Sequence, residues 1–91
     1  MTQQYILGEF SSLLTGLEPA AGELGGVVRS LRREVERSPP HMLSPLAREA
    51  LNLAEMTCWL ALDEGDVSGF CRYAKTAAAL QDFTANANLL P

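Results

Sequence analysis

The sequence predicts an all-α domain, a four-helix up-down bundle made of two antiparallel helical hairpins. Three observations carry this. Apolar residues recur at three- and four-residue spacing through four separate stretches, none of them shows the strict alternation of a half-buried strand, and proline or glycine breaks the pattern between stretches. Short connections then make sequence neighbours antiparallel neighbours in space. The 91 residues form one domain, and a 9.9 kDa chain buries roughly 64% of its unfolded surface by the scaling law, enough for one core. The expected layout is a hairpin over residues 5–37, a proline-rich link over 38–44, a second hairpin over 45–85 and an apolar tail over 86–91.

The first helix is expected over residues 5–17, where Ile6, Leu7, Phe10, Leu13, Leu14 and Leu17 fall in an arc of about 120°. Glu18-Pro19 interrupts it, because a proline disfavours helix at the residue before it and has no N–H to donate. A loop over Gly16 to Gly22, or a frayed start, leads to the second helix. There Leu24, Val27, Val28, Leu31 and Val35 share one side, and Leu24, Val28, Leu31 and Val35 have the spacing of a packing seam. Gly22, Gly25 and Gly26 allow either a close helix approach or a flexible turn, and their position beside Pro19 favours the turn.

Ser38-Pro39-Pro40-His41-Met42-Leu43 is the link, stiffened in an extended form by its prolines, with Met42 and Leu43 closing the end of the core. Ser44-Pro45 has the chemistry of a helix start, serine as the cap and proline at the first helical position. The third helix runs to Asp63. Its apolar positions, from Leu46 and Ala47 through Leu53, Ala54 and Cys58 to Leu62, cover an arc of about 200°, so it should touch more than one neighbour. In Asp63-Glu64-Gly65-Asp66, Gly65 suits a left-handed helix end and Asp66 caps the fourth helix. That helix, over 67–85, buries Phe70, Tyr73, Ala74, Ala77 and Leu80, with Phe83 on the polar side. Leu89-Leu90-Pro91 either docks back or enters another subunit.

Composition bounds function. A net charge of -4 and a pI near 4.8 argue against a nucleic-acid-binding domain, which carries a basic footprint. Met1-Thr2-Gln3-Gln4 has no positive n-region and no apolar stretch reaches membrane-span length, so a cytoplasmic setting without membrane is expected. Six of the seven basic residues are arginine, which fits a GC-rich bacterial coding sequence. No phosphate loop, zinc-protease motif or Ser-His-Asp set is present, and Glu49 and Glu55 diverge by about 120° on the third helix. No enzymatic activity, cofactor or metal is expected.

Three candidate surfaces remain. On the polar side of the third helix, Arg48, Asn52, Glu55 and Trp59 follow at intervals of four, three and four, with Glu49 and Met56 alongside. Tryptophan, methionine and arginine on a polar face match the composition of interface anchors, so this face is expected to hold a partner helix or a second copy of the chain. The alternative is that Trp59 lies over a groove and packs on a neighbouring helix. On the second helix, Arg29, Arg33 and Arg37 form a stripe beside Arg32, which could bind nucleic acid or an acidic ligand. Interleaved Glu34 and Glu36 favour a solvated face instead. Finally, Cys58 and Cys71 stand level across the hairpin turn, both towards the apolar sides. They form a candidate redox pair, with two buried thiols as the plainer reading.

The stretch from Asn52 to Ala78, with Leu62-Asp63-Glu64-Gly65-Asp66 at its turn and Tyr73, Ala74 and Ala77 beyond, resembles one tetratricopeptide-type unit over less than a third of the chain. Phe70 stands where such units carry a small residue, and no second copy appears in the N-terminal half, so the family is not assigned. The resemblance implies a protein-binding role.

Overall fold

The computed structural model describes residues 3–20 and 23–89. Four helices, α1 (Gln3–Thr15), α2 (Glu23–Arg37), α3 (Leu43–Asp63) and α4 (Val67–Asn86), make the bundle, with one tighter 3-10 turn at Pro40–Met42. No strand occurs among the described residues. Each helix packs on the next in sequence and α4 returns to α1, so two antiparallel hairpins close into an up-down bundle. The α3–α4 pairing is the most extensive. The exposed area of 5412 Å² is close to the roughly 5200 Å² that scaling gives for this mass, as a chain with one full core requires.

The core is supplied by every helix. Phe10, Leu14 and Leu17 come from the first hairpin arm, Val28, Leu31 and Val35 from α2, Leu43, Ala47, Ala50 and Ala54 from α3, and Tyr73, Leu80 and Phe83 from α4. Small residues on the inner side of α3 let it sit between its neighbours, while the leucines and phenylalanines around it fill the remaining space. Burying each such large side chain contributes about 1.5–3 kcal/mol.

Two chain reversals depend on left-handed residues. Gly65, at φ 73°, lets the Asp66 N–H reach the Ala61 carbonyl at 2.8 Å and its own N–H reach Leu62 at 3.0 Å. Asn88, at φ 56°, does the same after α4, where the Leu89 N–H donates to Thr84 at 2.9 Å. Both satisfy carbonyls that a helix end leaves orphaned. Leu89 is thereby buried against its own protomer, which decides that residue in favour of docking back. Leu90 and Pro91, like Gly22, lie outside the described residues. Asp66 caps α4 as expected, its Oδ1 accepting from the Gly69 N–H at 2.8 Å.

Several local expectations are corrected. Ser44 does not cap α3: the 3-10 turn, closed by the Met42 N–H on the Pro39 carbonyl at 3.0 Å, runs straight into a helix starting at Leu43. The link is therefore not extended throughout. Pro45 is accommodated because the first four amides of a helix have no intrahelical acceptor. Leu43 closes the core, whereas Met42 is exposed. Gly25 and Gly26 lie inside α2 rather than in a turn, and Gly25 is a point of close approach. A Cβ there would sit 2.8 Å from the Glu18 carbonyl oxygen and 3.1 Å from that of Ala20. Val27 is 42% exposed and leaves the buried side to Gly25, Val28, Leu31 and Val35.

Phe83 is the largest departure. It is buried, and its ring meets Phe10 with centroids 5.6 Å apart at 56°. Besides α3, α1 also packs on α4, and it covers the flank on which Phe83 lies about 60° beyond Leu80, the edge of the expected stripe. Thr57 and Thr84 are also buried, each hydroxyl donating to a carbonyl three residues earlier, at 2.7 and 2.9 Å. A threonine satisfied this way enters a core at little cost.

Candidate functional site

α3 is covered on one side only. Trp59 lies about 180° around it from the buried Ala50, so the core-facing register of the alanines dictates that the indole points outward. It is 60% exposed. Met56, 51% exposed, stands one turn earlier on the same face, and Arg48, Asn52 and Glu55 are exposed along it. The five residues singled out from spacing thus share one free surface.

What spacing did not reveal is the relief on either side of the indole. Between α3 and α4 runs a groove of about 500 Å³, walled by Leu51, Trp59, Leu62 and Phe70 and floored by Ala74, Ala77 and Ala78. Between α2 and α3 lies a second, of about 560 Å³, lined by Leu24, Met56, Trp59 and Leu60 with Glu23, Asp63 and Glu64. Trp59 borders both, and so forms the ridge that separates them. Leu62 is 44% exposed at the edge of the first. The sequence signal was available: Ala74, Ala77 and Ala78 on one flank of α4 are too small to fill the space beside α3.

No family model, no curated protein and no solved structure matches the chain, and the tetratricopeptide likeness of residues 52–78 gains no support.

Of the four arginines, only Arg32 leaves the exposed stripe. Arg32 is turned towards α1, where its Nη1 lies 3.0 Å from Glu18 Oε1 and donates to Thr15 Oγ1 at 3.2 Å. The Glu18 contact is ionic and lacks hydrogen-bond alignment. Glu36 accepts from Ser11 at 2.9 Å, and this bond and the one from Arg32 to Thr15 both tie α2 to α1. Arg29, Arg33 and Arg37 remain exposed, with Glu34 and Glu36 exposed among them.

The cysteines also differ from expectation. Both thiols are free; Cys58 is half-buried and lines the α3–α4 groove, whereas Cys71 is exposed, about 180° around α4 from Leu80. Only Cys58 faces the apolar side. Burial, and then the nearby Glu55 carboxylate, push its thiol pKa up, so the reactive thiolate is disfavoured. His41 is exposed on the 3-10 turn. Among the described residues no three His, Cys, Asp or Glu side chains converge as a metal site needs, and no helix is long and apolar enough to cross a membrane.

Proposed function

We propose that this chain is a non-enzymatic helical interaction module of the cytoplasm that docks a protein helix, or a second copy of itself, through the outer face of α3. The observation that carries this reading is the exposed indole of Trp59 on a ridge between two apolar grooves. Burial of such a side chain is worth about 25 cal/mol per Å², a gain this protomer leaves unused. Interface centres concentrate tryptophan and methionine and surround them with polar groups, the roles that Trp59 and Met56 take here beside Arg48, Asn52 and Glu55.

Support also comes from the chemistry at hand. The single histidine stands exposed on the 3-10 turn at Pro40–Met42, and the half-buried thiol is disfavoured as its reactive thiolate, so neither supplies a nucleophile with a base. Two free thiols suit a reducing compartment.

Trp59 is the only tryptophan, so its emission reports on this face alone. Titrating the protein with amphipathic helical peptides, and separately concentrating it in a sedimentation series, should shift Trp59 emission to the blue in one of the two arms. A peptide complex or dimer that Trp59→Ala retains at full strength contradicts the reading.

A further inference from the structure

We infer that the occupant of this face is a cationic amphipathic helix from a different protein, with an apolar stripe flanked by Lys or Arg. The inference rests on the docking role proposed above and decides between its two occupants. Its basis is charge. Glu55 lines the α3–α4 groove, and Glu23, Asp63 and Glu64 line the α2–α3 groove; no Lys, Arg or His lines either. Carboxylates therefore flank the Trp59 ridge on both sides. The nearest basic side chain on the same face, Arg48, is eleven residues away along α3, about 16 Å.

A second copy fits this poorly. A two-fold contact lays the same patch on itself, which would set these carboxylates against their own images at an interface core where charge is normally depleted. An anionic lipid surface is repelled for the same reason. The shape suits a helix: from Leu51 to Leu62 the groove wall extends about 16 Å, three helical turns, and its alanine floor admits a close-lying backbone. Anchors at i, i+3 or i+4, and i+7 would reach the apolar wall while flanking cations meet Glu55 on one side and Asp63 and Glu64 on the other.

The test uses two synthetic amphipathic helices of about four turns with the same leucine stripe, one flanked by lysine and one by glutamate. Binding to the full chain is followed through Trp59 emission, and for Trp59→Ala, which has no tryptophan left, by titration calorimetry alongside the unsubstituted chain, at low ionic strength and again at about 0.5 M salt. The lysine peptide should bind at least about tenfold more tightly, the margin should shrink in high salt, and the combined Glu55→Lys, Asp63→Lys and Glu64→Lys variant should reverse the order. All three positions are exposed, so the variant is expected to fold; circular dichroism checks this. Equal binding of both peptides that Trp59→Ala abolishes would overturn the charge inference and leave the docking face standing. Binding that ignores Trp59→Ala, or no binding of either peptide, would overturn both. A dimer formed through Trp59, or a blue shift with phosphatidylserine vesicles, would replace the proposed occupant.

Discussion

The rings of Phe10 and Phe83, 5.6 Å apart and tilted by 56°, join α1 to α4 and close the bundle on the side away from the proposed docking face. Contact between sequence-distant helices is what turns two hairpins into one cooperative unit. Phe83→Ala removes that ring from a buried site and should cost about 3–5 kcal/mol, read as a lower denaturation midpoint in urea. Trp59→Ala, by contrast, should change stability by no more than about 0.5 kcal/mol, because the indole is mostly in water. The contrast separates a packing aromatic from a binding one.

Adjacent glycines in α2 should respond with opposite signs. At Gly25 an added methyl meets two backbone carbonyl oxygens that cannot swing aside, so Gly25→Ala should destabilise by about 1–3 kcal/mol. At Gly26 its nearest neighbour is the Arg29 side chain at 3.8 Å, so Gly26→Ala should stabilise by up to about 1 kcal/mol through helix propensity. Thermal melts of both variants, compared at one pH, check the pair.

Removing the α4 cap tests the second hairpin. Asp66→Ala strands the Gly69 N–H and should cost about 1 kcal/mol, with the midpoint falling and circular dichroism at low temperature unchanged.

The thiols should differ in both reactivity and linkage. A thiol reagent at mildly alkaline pH should modify exposed Cys71 well before half-buried Cys58. Because Cys58 holds its proton more tightly when folded, the unfolded chain binds fewer protons once pH passes the ordinary thiol pKa of about 8.5. Stability should therefore be unaffected by Cys58 below that value and decline above it. Cys58→Ala should flatten that alkaline decline.

Much of the fold was legible in the residues. Helical periodicity located all four helices, Gly65 and Asp66 announced the tight reversal by their chemistry, and the four-three-four run from Arg48 to Trp59 placed the indole outside. The misreadings share a cause: they concern contacts between elements far apart in sequence. Phe83 needs α1 to be buried, Gly25 needs the Glu18 and Ala20 carbonyls to explain it, and Arg32 leaves the other arginines for Glu18. Ser44 is a different case, where a local signal was overridden by a 3-10 turn that starts the helix two residues earlier, at Leu43. Of the grooves flanking Trp59, the one beside α4 has a sign in the sequence, the small residues Ala74, Ala77 and Ala78, whereas the one between α2 and α3 is a tertiary feature with no local sign.

Acrylamide quenching of the free monomer addresses the central claim most directly. If Trp59 tops an open ridge, its emission should be as red as that of a small tryptophan amide in water, and quenching should approach that compound's. On adding the lysine-flanked helix, emission should move to the blue and quenching should drop. Blue, quencher-resistant emission from the monomer alone would mean the indole is already covered, and the account of α3 as a docking face would be wrong.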